Sequence, residues 1–209
     1  MSAISRCPAK AAGGIVPAIQ MAGETPRYHC SKGNIHMIHH VSIPAHEPQR
    51  VAGVLAELLG GKCFPFGPLE GAFMAASGDA NGTMIEVYPE RATLDIPAND
   101  DQVVFGDNPQ PPQTWPFHFL LSVPLEVEQV ERIGAREGWR AKTFGRGKLG
   151  EKPFFHVIEF WVENRVMIEV ATPAMAREYM DFLQGMHQTA MNDPESVRLM
   201  RATHIKESA

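Results

Sequence analysis

Four side chains in this sequence could do chemistry together: two histidines and two glutamates, each pair recurring in the same order. Of nine histidines in 209 residues, His36, His39, His40, His118 and His156 fall at or beside segments that pattern as strands. Glu86 in Met84-Ile85-Glu86-Val87-Tyr88 and Glu169 in Met167-Ile168-Glu169-Val170-Ala171 lie in apolar stretches whose composition predicts burial. A carboxylate buried there costs several kcal/mol unless it is protonated, hydrogen-bonded, ion-paired or bound to a metal. Taken with His40 and His118, Glu86 and Glu169 form a nitrogen and oxygen donor set suited to one divalent ion, Zn, Ni, Co, Mn or Fe, with up to two octahedral positions left for water or substrate. Any one of the four alone reads as a satisfied core or surface residue. The weight comes from recurrence.

The elements that must position them repeat. The first half reads as a strand over 35–43, a helix over 49–59 stopped by Gly60-Gly61, and strands at 72–76 and 83–88 joined by the turn Gly78-Asp79-Ala80-Asn81-Gly82. The second reads as a strand over 117–123, a helix over 126–136 stopped by Gly138, and strands at 140–144, 154–162 and 165–171. His40 overlays His118, and Gly60 overlays Gly138, without a gap at an offset of 78 residues. The tetrapeptide Met-Ile-Glu-Val occurs at 84–87 and again at 167–170, an offset of 83, so five residues enter between the landmarks, in the expected loop at 145–153. Strand alternation then chooses between adjacent histidines: Val41 and Ile43 mark the packing face, leaving His40 with Ser42 on the other, and Phe119 and Leu121 leave His118 opposite.

The organisation that follows is α+β. An N-terminal arm (1–34), poorly ordered or wrapping a partner, precedes a first module (35–94), a Pro-rich linker (95–116), a second module (117–173) and a helical tail (174–209). The tail carries helical patterns at 174–186 and 194–202, with Met175, Met180, Met186, Met191 and Phe182 as an apolar packing side.

Composition narrows the function classes. A balance of 19 Lys and Arg against 24 Asp and Glu, net −5, gives no basic footprint for nucleic acid or anionic lipid. No apolar run approaches the roughly 18 residues that would span a bilayer. The N-terminal stretch, broken by Gly13, Gly14 and Pro17, does not pattern as a secretory leader. Cys7, Cys30 and Cys63, odd in number and without C-x-x-C spacing, read as reduced thiols. The expectation is a cytoplasmic protein with a small-molecule substrate and no nucleic-acid or membrane partner.

The ordered set Ile38-His39-His40-Val41-Ser42-Ile43, Gly78-Asp79-Ala80-Asn81-Gly82-Thr83-Met84-Ile85-Glu86-Val87, Phe117-His118-Phe119-Leu120-Leu121-Ser122-Val123 and Val166-Met167-Ile168-Glu169-Val170 resembles the vicinal oxygen chelate superfamily. That group includes glyoxalase I, methylmalonyl-CoA epimerase, thiol transferases, extradiol dioxygenases and metal-free bleomycin-binding proteins. The resemblance covers 35–173 and implies two βαβββ modules forming a cupped mixed sheet around a metal, and a homodimer. By position His40, Glu86, His118 and Glu169 match the His-Glu-His-Glu metal set of bacterial-type glyoxalase I. The extradiol dioxygenases resemble only the subset His40, His118 and Glu169. Glu86 therefore favours a metal-dependent lyase or isomerase working through a metal-bound enediolate, with Glu169 as the implied proton carrier and Glu86 as its near-symmetric rival. An Fe(II) dioxygenase and a metal-free binding protein of the same fold are the alternatives. No basic cluster for glutathione stands out.

Gly145-Arg146-Gly147-Lys148-Leu149-Gly150 satisfies G-x-G-x-x-G, but it leads into a strand, whereas a dinucleotide fingerprint must open a helix. It reads instead as a loop near the mouth of the cup, where Arg146 and Lys148 could meet an anionic substrate. His156, on a central strand, is a further candidate substrate contact. Glu163-Asn164-Arg165, where the superfamily often has an Asp-Pro-Asp-Gly type of turn, still suits a tight hairpin.

Overall fold

The structure is a computed structural model that describes residues 37–147 and 152–192. The expected arm, Lys148 and the helix expected at 194–202 lie outside the described residues. The chain divides into two compact units between Pro111 and Pro112, inside the expected linker.

The first unit starts with β1 (His40–Ala45) and α1 (Pro48–Leu59), followed by β2 (Lys62–Pro65), β3 (Phe73–Ala76) and β4 (Met84–Pro89). Pro48 opens α1 where its missing N–H costs nothing. Val51, Val54, Leu55, Leu58 and Leu59, spaced on one helical face, are buried against β2, β3 and β4. Gly60 ends the helix in the left-handed region (φ 66°), and the Gly60 and Gly61 N–H groups donate back to Glu57 O at 3.1 Å and Ala56 O at 2.8 Å. Strand order in the sheet is β1-β4-β3-β2, with β1 and β4 parallel. Ile43, Ala45, Ile85 and Val87 meet the helix side, as the alternation predicts.

The expected linker is partly a hairpin. β5 (Ala92–Asp95) and β6 (Val104–Asp107) pair antiparallel, fastened by Arg91 on Asp107, whose carboxylate raises the guanidinium above its ordinary value. Phe105 packs edge-on against Tyr88 at 5.8 Å, and Phe66 lies 5.5 Å from the same ring. A Pro-rich, acidic stretch conceals these strands because what holds them is packing on a residue far away in sequence.

The second unit repeats the first. It contains β7 (Leu120–Ser122), α2 (Val127–Glu137), β8 (Ala141–Arg146), β9 (Phe155–Val162), β10 (Val166–Ala171) and α3 (Pro173–Asn192). The strand order β7-β10-β9-β8, with β7 and β10 parallel, copies the first sheet. Glu126 N–H donates to Gln129 Oε1 (2.9 Å) at the start of α2, and Gly138 closes it at φ 74°, with Trp139 N–H on Gly134 O at 2.8 Å. Val130, Ile133, Phe160, Val162, Ile168 and Val170 form the core. Glu163 (φ 50°) and Asn164 (φ 57°) occupy the left-handed region between β9 and β10, and the Asn164 side chain ties this turn to Arg140 N and Gly138 O.

The architecture is therefore α+β. β7 is shorter than the expected strand over 117–123, so His118 lies just before it, outside the strand. The residue pattern marks no strand at β2, although the βαβββ module implied by the resemblance has one there. Cys63 is disulfide-bonded, contrary to the reading of three reduced thiols; Cys7 and Cys30 lie outside the described residues. The cytoplasmic expectation loses the part of its support that rested on reduced thiols. No helix among the described residues is long and apolar enough to cross a membrane.

Candidate functional site

Glu86 is the only charged residue that is buried as a whole among the described residues, at 7% exposure. The parallel register sets Ser42 beside Glu86 and His40 beside Met84, so His40, Ser42 and Glu86 share one face, opposite the helix. Tyr88, two residues along β4, joins it. Ser42 Oγ donates to Glu86 Oε2 at 2.8 Å and Tyr88 Oη donates to the same oxygen at 2.6 Å. Glu86 Oε1 faces His40 Nε2 at 3.9 Å, with the His40 side chain 54% exposed. Burial, and then the hydrogen bond to Glu86, raise the Tyr88 hydroxyl above its ordinary value, so the phenol remains a donor. One carboxylate oxygen is held by hydroxyls while the other faces an imidazole.

Glu169 has the same place in the second sheet and different company. It stands level with Leu120, as Glu86 stands level with Ser42, so His118 lies two residues upstream of Leu120 just as His40 lies two upstream of Ser42. His118 is exposed. Glu169 Oε1 accepts from Arg146 Nε at 2.8 Å and from Nη2 at 2.6 Å. Arg146 Nη2 also donates to Glu159 Oε1 at 3.0 Å, and Trp161 Nε1 reaches Glu159 Oε2 at 3.4 Å.

The other expected contacts are placed as follows. Arg146 is the last residue of β8, not a loop residue, and is engaged by two carboxylates of its own sheet. His156 lies on the face of β9 opposite Glu159, level with Gly145; its backbone N–H and Nδ1 both meet Glu178 Oε2 of α3 at 2.9 Å, and this holds the Glu178 carboxyl below its usual range. His39 Nδ1 lies 2.6 Å from Asn81 O, in the Asp79 turn. There Asp79 accepts from the Thr83 hydroxyl and from the backbone N–H groups of Thr83 and Asn81, which lowers its carboxyl. Sequence reasoning missed Tyr88, Glu159 and Trp161; the first could have been found from its spacing of two from Glu86, the others only from sheet register.

Does this donor set fit a divalent ion? By donor type it does, imidazole nitrogens with carboxylate oxygens; in the first unit one of each lies 3.9 Å apart, with two hydroxyls on the other carboxylate oxygen. No Lys or Arg pairs with Glu86 among the described residues. In the second, Arg146 donates to Glu169 and to Glu159 and can neutralise only one of the two carboxylates. Each unit carries two of the four candidate ligands, and among the described residues no group of three or more His, Cys, Asp or Glu side chains is placed to hold a metal.

No protein-family profile matches the chain, and no curated protein matches it. Among solved structures it is similar to an integron cassette protein from the mobile metagenome of V. cholerae, at 13% identity and a TM-score of 0.41, over 68% of this chain and 98% of that one. It is also similar to a protein from Agrobacterium tumefaciens, at 10% identity and a TM-score of 0.37, over 66% of this chain and 98% of that one.

Proposed function

We propose that the chain is a metal-dependent lyase or isomerase of the vicinal oxygen chelate kind, glyoxalase-like, acting on a small oxygen-rich substrate. In this reading the two βαβββ modules form one cupped mixed sheet, and His40, Glu86, His118 and Glu169 are the metal ligands. The observation that carries it is the matched register: Ser42 beside Glu86 and Leu120 beside Glu169 in two sheets of identical strand order, each with a histidine two residues upstream. A chance pair of acids does not repeat its strand, its face and its histidine.

A bound divalent ion would act as a Lewis acid toward a substrate chelating through two adjacent oxygens, easing loss of a carbon-bound proton. Ser42 and Tyr88 fix Glu86 as a ligand with one oxygen presented. Glu169 is the proton carrier, because its hold is an ion pair that can be exchanged, whereas Glu86 is locked by two hydroxyls. His40 and His118 supply neutral nitrogen donors. A homodimer belongs to the same reading.

The test is metal analysis of purified protein and of His118→Ala. About one Zn, Ni, Co, Mn or Fe per chain, lost in the variant, supports the proposal. Absence of bound metal, together with no change in thermal stability when each ion is supplied, overturns it.

A second reading, a metal-free binding protein, is favoured by one observation: both carboxylates already have donors, Glu86 from Ser42 and Tyr88, and Glu169 from Arg146. It requires ligand binding that is insensitive to chelators and proceeds without turnover.

A further inference from the structure

Glu159 and Glu169 are directly opposed across the antiparallel pair β9 and β10. Like charges so placed destabilise a sheet unless a cation sits between them. Arg146 supplies it: Nη2 lies 3.0 Å from Glu159 Oε1 and 2.6 Å from Glu169 Oε1. All three side chains are largely covered, at 28%, 21% and 15% exposure for Arg146, Glu159 and Glu169, so the pairing is less screened than a surface ion pair. The two acids are held differently. Glu159 has a second donor in Trp161 Nε1 on its other oxygen, whereas Glu169 Oε2 has no hydrogen bond among the described residues. One guanidinium facing two carboxylates leaves the trio with a formal charge of −1.

We propose that Arg146 is a displaceable counter-ion, occupying Glu169 while no metal is bound and retained by Glu159 when Glu169 turns to a divalent cation. The proposal rests on the metal reading above and assigns roles to two residues outside the ligand set. Arg146 competes with the cation for Glu169. Glu159 is a positioning residue: without it, a cation arriving at Glu169 would leave Arg146 unpaired beside a like charge. The two residues touch each other, yet their removal has opposite consequences.

Co(II) binding, followed by equilibrium dialysis and by visible absorption, tests this on full-length wild type, Arg146→Met and Glu159→Gln, with folding checked by circular dichroism. Arg146→Met is expected to bind Co(II) about tenfold more tightly than wild type and Glu159→Gln about tenfold more weakly, at the lower end of what outer-shell changes do. Binding by Arg146→Met but not by wild type also supports the proposal. If wild type binds and both variants match it or shift in the same direction, the counter-ion role is overturned while the metal reading stands. If none of the three folded proteins binds Co(II), both fall. Should Arg146→Met fail to fold, Arg146→Lys replaces it; this keeps the charge but loses the two-pronged contact, and is expected to tighten binding by a smaller factor. No tightening then overturns the proposal.

Discussion

The hydroxyl cradle of Glu86 sets a stability experiment whose size follows from geometry. Glu86 is nearly covered, and its Oε2 depends on Ser42 Oγ at 2.8 Å and Tyr88 Oη at 2.6 Å. A hydrogen bond to a charged group contributes about 1.5–3 kcal/mol. Tyr88→Phe and Ser42→Ala each remove one donor and leave the other, so each is expected to cost about 1.5–2 kcal/mol. The double variant leaves the oxygen with neither. Stranding a buried charge costs about 3–5 kcal/mol, so the double variant is expected to lose about that much, at or somewhat above the sum of the singles. Urea unfolding of the four proteins at pH 7, with unchanged m-values, reads the cycle. The Tyr88 hydroxyl is raised by burial and by Glu86, so its contribution is fully present below the unfolded tyrosine pKa and is lost as pH rises through the folded one; pH 7 lies safely on the stabilised side. A double variant less than about 1 kcal/mol below wild type would refute the reasoning, because it would mean that water satisfies Oε2 and that the hydroxyls do not orient the carboxylate.

Glu86→Gln keeps the volume and an acceptor oxygen but loses the charge: it is expected to fold and to lose most Co(II) binding, whereas retained metal together with oxygen uptake on a catechol-like substrate would favour the dioxygenase alternative that needs only His40, His118 and Glu169. Glu178 is lowered by its hydrogen bonds to His156, so its support for α3 is present above the unfolded carboxylate pKa and is lost as pH falls through the folded value; the stability gap between wild type and Glu178→Gln, measured by thermal unfolding, should shrink toward zero on acidification, and a gap that grows would sink the pairing. Gly61→Ala would place a Cβ 1.9 Å from Ala76 O, a backbone atom that cannot swing aside, so urea unfolding is expected to show a loss of about 1–3 kcal/mol or more.

Much of the fold is legible in the sequence because it is written in local devices. Val51, Val54, Leu55 and Leu58 give the helical period, Gly60 and Gly138 stop their helices by the same left-handed turn, and the two Met-Ile-Glu-Val copies mark equivalent strands. The parallel registers found for β1 with β4 and for β7 with β10 reproduce the offsets of 78 and 83 that separate the repeats. What stayed hidden has no local signature. β2 is an edge strand with a mostly exposed pattern, held in place by β3. The β5 and β6 hairpin is interrupted by Pro97, Asp100 and Asp101 and reads as linker, because its anchors, Phe105 on Tyr88 and Arg91 on Asp107, join residues 17 and 16 positions apart.

The candidate site divides along the same line. Alternation within one strand suffices to put His40 and Ser42 on the face away from the helix, and Glu86 follows from the repeat. The company of Glu169 depends on three strands at once, and no single segment announces it. Arg146 lies between two glycines and so reads as loop, yet Gly145 is there for close approach: a Cβ on it would lie 2.6 Å from that of Pro153, and its absence lets β8 run one residue further and bring the guanidinium to Glu159 and Glu169. The two glutamates are thus equivalent in register and unequal in surroundings. Duplication accounts for the first property, and for a pair of acids on matching faces. The second is what a proton-transfer site requires, since a ligand that must stay and a carrier that must leave cannot be held alike. Two hydroxyls on one oxygen of Glu86 restrain it with no rival charge, whereas the guanidinium on Glu169 has an alternative partner within reach. Under the proposed function, that asymmetry assigns the fixed role to Glu86 and the mobile one to Glu169, a division that the repeated sequence alone leaves open.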